Sequence, residues 1–263
     1  MQTLNYQGIK ILPKTQLKTE DALVIEAPLQ ININNKPYTV VMRTPDNDLE
    51  LVRGLLFAED IYKQVAIFHF EVIEVKKSGE TIVNITIAKE ALGKGYLNKR
   101  TLLSVSSCGI CGKQELKDLA VFGDSINLKN AMTATNIQKM FSTMQSHQKT
   151  FKISGGSHAA ALFNANNTLL SIQEDIGRHN AVDKVIGELL LKKQLNEATF
   201  MLVSGRVSYE IVSKAFIAKI PIIVAVSACS SLAVDFSKEF GICLIGFTRA
   251  KKMTIYANPN YLK

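Results

Sequence analysis

The feature that most constrains the fold is an alternation of apolar runs and helical segments in the last third of the chain. The runs Phe200–Val203, Ile222–Val226 and Ile242–Ile245 are short and rich in Val, Ile and Leu, which is typical of buried strands. The segments between them, Ser208–Lys219 and Ser231–Phe240, have the length and composition of helices. This βαβαβ order predicts right-handed crossovers and a largely parallel sheet covered on both faces.

The carboxyl ends of these strands carry small residues, hydroxyls and cations. The segments that follow the strands are Ser204–Arg206, Ser227–Ser231 and Gly246–Lys252. Ligands of parallel sheets bind outside the carboxyl ends of the strands, and two of these segments lead into helix N-termini, which favour phosphate. The pattern predicts a cradle for an anionic ligand, although the spacing of neither a Walker loop nor a Rossmann fingerprint occurs.

Two polar clusters precede this sheet in the chain. Gly155–His158 leads into a predicted hairpin over residues 159–172, and Glu174–Asn180 opens a long helix. A helix start uses only one or two polar residues as caps, so the excess in the second cluster indicates a site. His158 and His179 are candidates to contact phosphate or to assist proton movement, with hydrogen-bonded structural roles as the alternative.

The charges around the predicted helix have a second interpretation. Asp175, Arg178 and Asp183 could form an ion-pair lattice around the helix start instead of contacting a ligand. Lys184 is interpreted as lying on the solvated face of the helix, opposite an apolar stripe that includes Val182. The cluster therefore predicts either a binding site or a local network of charges.

The sequence pattern predicts a smaller α+β subdomain over residues 1–100 and the main domain over residues 101–263. Residues 22–45 alternate as a hairpin, and a second hairpin follows between residues 70 and 87. The helix between them starts at Asn47, three residues before Glu50, which is the spacing of a capping box. We expect this helix to end near Tyr62. The alternating apolar residues of the first hairpin are Leu29, Ile31, Ile33, Tyr38, Val40 and Met42.

A Cys-x-x-Cys pair lies near the start of the predicted main domain. Cys108 and Cys111 are flanked by glycines and followed by Lys113, a cation that would lower a thiol pKa. Such a pair serves as half of a zinc site, as a redox couple or as a thiol that carries a leaving group. The other cysteines, Cys229 and Cys243, each stand alone, so the second half of a zinc ribbon is missing. A reactive thiol is favoured, and no metal site is predicted.

Bulk properties narrow the class of protein. The chain has 263 residues, a net charge of +8 and 47% hydrophobic residues, which is ordinary for a globular protein. The charge either keeps the surface solvated or attracts an anionic partner. Nucleic acid is weakly supported, because the basic residues are scattered and Trp is absent. Neither a signal-peptide pattern nor an apolar run of membrane-spanning length occurs, so a cytoplasmic protein without membrane contact is expected.

Several blocks of the sequence resemble the FdhD/NarQ family in the same order along the chain. Together they extend over nearly all of it, which makes the resemblance specific. The blocks are Met42–Glu59, Ser107–Gly112, Gly155–Ala161, Glu174–Lys184, Val203–Arg206 and Ala225–Val234. Cys229 departs from the family pattern, in which a small residue or proline is expected at this position.

The resemblance implies a formate dehydrogenase accessory sulfurtransferase. Such proteins accept sulfur from a cysteine desulfurase as a persulfide and deliver it to the bis-molybdopterin guanine dinucleotide cofactor of formate dehydrogenase. The persulfide position corresponds to Cys108, with Cys111 as its companion, and the cofactor-contacting segment corresponds to Phe247–Lys252. A cytidine-deaminase-like α/β/α sandwich with a mixed, largely parallel sheet and a homodimer are also implied. The predicted cofactor-binding residues are Phe247, Thr248, Arg249, Ala250, Lys251, Lys252, Ser204, Arg206, Ser230, His158 and His179.

Three other functions compete with sulfur transfer. A zinc nucleobase deaminase needs His-x-Glu, but Ala160 occupies the second position after His158. A thiol-disulfide oxidoreductase is unsupported, because the Cys-x-x-Cys pair does not open a helix in a clear βαβ unit. A chaperone that binds the cofactor without covalent chemistry would keep the basic cradle and is the main alternative.

Overall fold

The computed structural model describes residues 2–66, 68–97, 123–126, 133–249 and 252–261. The predicted thiols Cys108 and Cys111 lie outside these residues, as do Ala250 and Lys251. The strands are β1 (Thr3–Leu12), β2 (Thr15–Val24), β3 (Ala27–Ile33), β4 (Lys36–Arg43), β5 (His69–Val75), β6 (Thr81–Thr86), β7 (His158–Asn164), β8 (Leu169–Asp175), β9 (Ala198–Val203), β10 (Ile222–Ala225), β11 (Cys243–Arg249) and β12 (Lys252–Ala257). The helices are α1 (Asp48–Ala58), α2 (Ala134–His147), α3 (Lys149–Ser154), α4 (Arg178–Leu191), α5 (Tyr209–Ile217) and α6 (Ser231–Glu239).

The larger sheet is mixed, with a parallel centre. Its order is β12-β11-β10-β9-β7-β8, and β9, β10 and β11 run parallel, which confirms the predicted βαβαβ order. The β7–β8 hairpin pairs antiparallel with β9 on one side, and β12 pairs antiparallel with β11 on the other. The sheet therefore presents the carboxyl ends of three neighbouring parallel strands at one edge.

Helices cover both faces of this sheet because its strands alternate apolar residues between them. Ala160 and Leu162 of β7 pack with α4, α5 and α6, whereas Ala161 and Phe163 of the same strand pack with α2. Helix α2 buries four apolar residues at the spacing i, i+3, i+4 and i+7: Ile137, Met140, Phe141 and Met144. The result is a three-layer α/β/α arrangement, which confirms the predicted class.

The smaller sheet has the order β4-β3-β6-β5, and both predicted hairpins are present. The predicted inward face of β4 is wrong beyond Tyr38, because a register shift between Ile31 and Asn32 changes the alternation. Thr39, Val41 and Arg43 are buried instead of Val40 and Met42. The buried Arg43 guanidinium donates to both carboxylate oxygens of Asp48, at 2.8 and 2.9 Å.

Helix α1 lies between the smaller sheet and α4. Asn47 is its N-cap residue, but the predicted capping box is not formed: Asn47 is left-handed, with φ at 60°, and its side-chain amide donates to Gln173. The helix ends at Ala58, four residues before Tyr62, where Asp60 turns the chain with φ at 57°. Leu51, Val52, Leu55 and Leu56 form an apolar stripe on one face of the helix and are buried against the smaller sheet.

Strands β1 and β2 form a separate two-stranded hairpin, which we call the N-terminal arm. Its residues pair without a bulge from Thr3–Val24 to Leu12–Thr15. The arm does not follow from the sequence pattern, because its apolar residues are interspersed with Gln, Lys and Thr. In the described part of the chain, no helix is both long enough and apolar enough to span a membrane.

Candidate functional site

The described candidate residues lie at one edge of the larger sheet, which we call the carboxyl edge. Ser204 follows β9, Ser230 follows β10, and Phe247 lies near the end of β11. His158 begins β7, and because β7 runs antiparallel to β9, with Ala160 opposite Val203, this start also lies at the carboxyl end of β9. The topology thus brings together residues as far apart in the sequence as His158 and Lys252, which are separated by 94 positions (252 − 158 = 94).

Hydrogen bonds to and between backbone groups connect the neighbouring loops of this edge. The Ser204 hydroxyl accepts from the Ala159 amide at 2.9 Å, which joins the end of β9 to the start of β7. The Val207 amide donates to the Ala228 carbonyl at 3.0 Å, and the Phe247 amide donates to the Ser227 carbonyl at 3.0 Å. The three loops therefore form a continuous rim that holds its side chains in fixed relative positions.

His158 lies among cations on this rim. It is half-buried beside Gly205, where an added Cβ would lie 3.2 Å from the imidazole Nδ1. Burial lowers the pKa of His158 below its ordinary value, and Arg178, His179 and Arg206 lower it further, against an opposing effect of Asp175. Burial and the neighbouring arginines therefore favour the neutral form of the His158 imidazole.

His179 lies deeper, in the first turn of α4. Its Nε2 is 3.1 Å from the Ser208 hydroxyl and 3.0 Å from a carboxylate oxygen of Glu210, and the side chain is buried. These contacts give it a structural role at the junction of α4 and α5. Contact of His179 with a ligand stays a prediction.

The segment that begins at Phe247 differs from the predicted loop. Strand β11 continues to Arg249, which pairs with Lys252 of β12, and a register shift follows Gly246. Phe247 is left-handed, with φ at 50°, and its ring is half-exposed, 6.5 Å from that of Tyr256. Such a backbone conformation is unfavourable for a bulky residue, so the surrounding strand pairing must hold it.

Two polar atoms of the carboxyl edge are buried and lack a hydrogen-bond partner among the described residues. They are Nε of Arg178 and Oγ1 of Thr248. Buried polar groups in folded proteins normally have partners, so such atoms call for an explanation. A ligand with acceptor oxygens would supply partners for both.

Residues 24–263 match the FdhD/NarQ family. The chain belongs to this family. Its relatives include a protein of Sulfolobus acidocaldarius named sulfur carrier protein FdhD, with 38% identity over 98% of both chains. A protein of the same name from Mycolicibacterium paratuberculosis is 41% identical over 91% of both chains.

A solved structure shares the fold of this FdhD/NarQ member. It is described as a formate dehydrogenase accessory protein from Desulfotalea psychrophila, and it aligns over the whole of both chains with a TM-score of 0.77 and 21% identity. At that identity the likeness supports the fold alone. It agrees with the α/β layers and mixed sheets described above.

The cluster Glu174–Asn180 is explained in part by structure. Glu174 accepts hydrogen bonds from the Thr150 and Phe151 amides at 2.8 Å each, so it caps α3. Asn180 donates to the Met42 carbonyl at 2.8 Å, which connects α4 to the smaller sheet. Much of the polar excess therefore serves the packing of neighbouring elements.

The interpretation of Lys184 as solvated is wrong. Its ammonium is fully buried, 2.8 Å from a carboxylate oxygen of Asp175, and it donates to the Thr44 carbonyl at 2.9 Å. Asp175 also accepts from the Thr44 amide at 3.1 Å. Helix α4 is covered on one face by the larger sheet and on the other by α1, so nearly all of its positions are buried.

The two described cysteines, Cys229 and Cys243, lack the low thiol pKa that a nucleophile requires. Burial raises the pKa of Cys229 to about 11 and that of Cys243 to about 12, so both remain thiols at neutral pH. Cys229 lies on the carboxyl edge, where its Sγ would be 3.0 Å from an added Cβ at Gly246. It is therefore a packing residue of the rim.

Proposed function

We propose that this protein is a sulfur carrier that loads sulfur on Cys108 as a persulfide and transfers it to the molybdenum cofactor, bis-molybdopterin guanine dinucleotide, for formate dehydrogenase. Membership of the FdhD/NarQ family along residues 24–263 carries the proposal, together with relatives named sulfur carrier protein FdhD. A cysteine desulfurase is the proposed donor. The proposed setting is the cytoplasm, with a homodimer as the working form.

The chemistry requires an accessible thiolate. The Cys108 thiolate attacks the outer sulfur of the desulfurase persulfide, the sulfur–sulfur bond breaks, and the donor cysteine leaves as a thiolate. Cys108 then holds the outer sulfur and regains its thiolate when an acceptor takes that sulfur. Lys113 follows the pair in the sequence, and a nearby cation favours the thiolate form.

The carboxyl edge fits an acceptor that carries phosphates. Arg206, Arg249 and Lys252 are exposed cations, and Ser204 and Ser230 add hydroxyls. The buried Arg178 Nε and Thr248 Oγ1 lack partners among the described residues, and phosphate oxygens are suitable acceptors for both groups. A guanine dinucleotide brings several phosphates, so charge and hydrogen-bonding capacity agree with the proposed acceptor.

A second candidate is a chaperone for formate dehydrogenase that binds the molybdenum cofactor without covalent chemistry. One observation favours it: Arg206, Arg249 and Lys252 expose cations at the carboxyl edge, and an anionic cofactor could bind to them without any thiol. In this case the rim would hold the cofactor, and the Cys-x-x-Cys pair would have no part in sulfur transfer.

Intact-protein mass spectrometry after incubation with a cysteine desulfurase and cysteine tests the proposal. We expect the wild type to gain about 32 Da, the mass of one sulfur atom, reversibly with reductant, because a persulfide adds a single sulfur to a thiol. The Cys108→Ala variant should gain nothing. Cys229→Ala is the matched control, since it also removes one thiol but should still load.

Two outcomes would contradict sulfur carriage. One is the absence of a mass gain in the wild type while the same desulfurase loads another acceptor, which would favour the chaperone. The other is equal loading of Cys108→Ala and the wild type, which would move the persulfide to a different thiol.

Removal of two cations of the predicted cofactor-contacting segment should weaken nucleotide binding. We expect Arg249→Ala combined with Lys251→Ala to raise the dissociation constant for GDP roughly 5- to 30-fold, because an exposed ion pair contributes at most about 1 kcal/mol. The affinity of the variant should also depend less on salt. Calorimetric titrations at two ionic strengths measure both effects.

The matched control removes the same charge elsewhere. Lys76→Ala combined with Lys77→Ala changes two exposed lysines on the turn between β5 and β6, in the smaller sheet. This pair should leave both affinity and salt response unchanged. If the two double variants behave alike, the carboxyl edge does not hold the nucleotide.

A further inference from the structure

The N-terminal arm lacks the cover that a hairpin needs. Its two ten-residue strands pair only with each other in the described part of the chain. A two-stranded hairpin alone is marginally stable in water. Contacts near its base hold it: the Thr150 hydroxyl donates to the Gln2 side chain, and Val24 packs against Gly156. The rest of the arm extends beyond this anchor.

The two faces of the arm differ in how many large apolar side chains they expose. Thr3, Ala22 and Val24 share one face and are partly buried near the base, and Ile9 and Ile11 are the two large apolar residues exposed further along that face. The opposite face, which we call the outer face, carries five large apolar side chains that are 38–54% exposed. They are Leu4, Tyr6, Leu12, Leu17 and Leu23. An exposed apolar surface of this kind marks a contact with another molecule.

The pattern of the outer face is complementary to itself. Its cross-strand pairs run from base to tip as Leu4–Leu23, Tyr6–Asp21, Gly8–Thr19, Lys10–Leu17 and Leu12–Thr15. The central pair is small, so two such faces could approach closely there. A two-fold axis across the central pair would place the tip of one arm over the base of another.

The positions of the charged residues on the outer face agree with this two-fold arrangement. Lys10 lies one pair beyond the centre and Asp21 one pair before it, on the opposite strand. The two-fold axis therefore brings Lys10 of one copy beside Asp21 of the second copy, twice in the interface. Leu12 of one copy meets the Leu4–Leu23 pair of the other. Apolar pairs would flank the ion pairs, as an isologous contact between identical surfaces requires.

We propose that the outer face of the N-terminal arm binds the outer face of a second copy of this chain, with the two arms antiparallel. The arm lies almost entirely before the region that matches the family, residues 24–263. This contact would supply a surface for the homodimer, and it does not depend on whether the chain carries sulfur.

A charge exchange tests the arrangement in the full chain. Within one copy Lys10 and Asp21 are four residue positions apart along the arm, about 13 Å, so they make no direct ion pair there. We expect Lys10→Glu alone and Asp21→Lys alone each to raise the dimer dissociation constant roughly tenfold, because each places like charges together. The double variant should restore the wild-type value. Sedimentation equilibrium over a range of protein concentrations measures these constants.

Apolar variants separate the two faces. Leu17→Ser with Leu23→Ser removes apolar area from the outer face, whereas Ile9→Ser with Ile11→Ser removes it from the opposite face, where both side chains are more exposed, at 67% and 74%. Only the first pair should weaken the dimer. Circular dichroism of each variant identifies any loss of folding.

Three results would overturn the proposal: a wild type that is monomeric at every concentration, a dimer indifferent to the outer-face variants, or a charge exchange that fails to restore association. Sulfur loading of the same variants is a separate measurement. Because Cys108 is retained, a failed dimer with normal persulfide formation would leave the proposed function intact.

Discussion

Replacement of Lys184 by methionine should lower the free energy of unfolding by about 3–5 kcal/mol, because it leaves a buried carboxylate without its counter-ion. Lys184 and Asp175 are both fully buried, and their charged groups are 2.8 Å apart. Asp175 would keep its hydrogen bonds from Thr44, Gly177 and Asn180, which cannot neutralise it. Urea denaturation at pH 7 measures the loss.

The matched control is Lys192→Met on the same helix. Lys192 is half-exposed and pairs with Glu188 one turn away, so its loss should change stability by less than about 0.5 kcal/mol. The double variant Lys184→Met with Asp175→Asn should lose less than the sum of the single changes, because it removes both charges of the pair. Equal losses for Lys184→Met and Lys192→Met would contradict this account.

Alanine at Gly187 or Gly54 should destabilise the protein by at least about 2 kcal/mol, since an added methyl group would overlap backbone atoms. A Cβ at Gly187 would lie 1.9 Å from the Glu50 carbonyl oxygen, and one at Gly54 would lie 1.9 Å from that of Asp183. Helices α1 and α4 would have to separate. Thermal and urea denaturation of each variant measure the effect.

The sign of the change in stability distinguishes a close helix crossing from an ordinary helix interior. Helix propensity alone favours Ala over Gly by about 1 kcal/mol in a helix interior, so increased stability would show that the close crossing of α1 and α4 is absent. The two sites share one crossing. Once one methyl group has forced the helices apart, the second should cost less, and the double variant should lose less than the sum.

The larger sheet was predictable because short segments of the sequence are enough to identify its strands and the helices between them. Short apolar runs separated by helical segments predict a parallel sheet, and the carboxyl-end rule then places Ser204, Ser230 and Phe247 at a common edge. The arm and the inward face of β4 were not predictable. The face changes at a register shift after Ile31, and no residue type there announces it.

The role of Lys184 depends on tertiary structure. Periodicity in α4 identifies the stripe that packs on the larger sheet, but the opposite stripe is buried by α1, which lies more than 100 residues earlier in the chain. A signal did exist in retrospect: Gly187 in the middle of a helix costs stability unless another backbone approaches closely, and Gly54 in α1 is its counterpart.

The contact of Asp175 and Lys184 with Thr44 bears on how the molecule denatures. The two polar groups of the Thr44 backbone, which follows the smaller sheet, are satisfied by two charged side chains from the larger unit. If the two units separated, Asp175 and Lys184 would lose their hydrogen bonds to Thr44, and both backbone groups of Thr44 would lose their partners at the same time. We therefore expect heating to unfold both units in one transition. A fragment that starts at residue 101 should fold less stably than the whole chain.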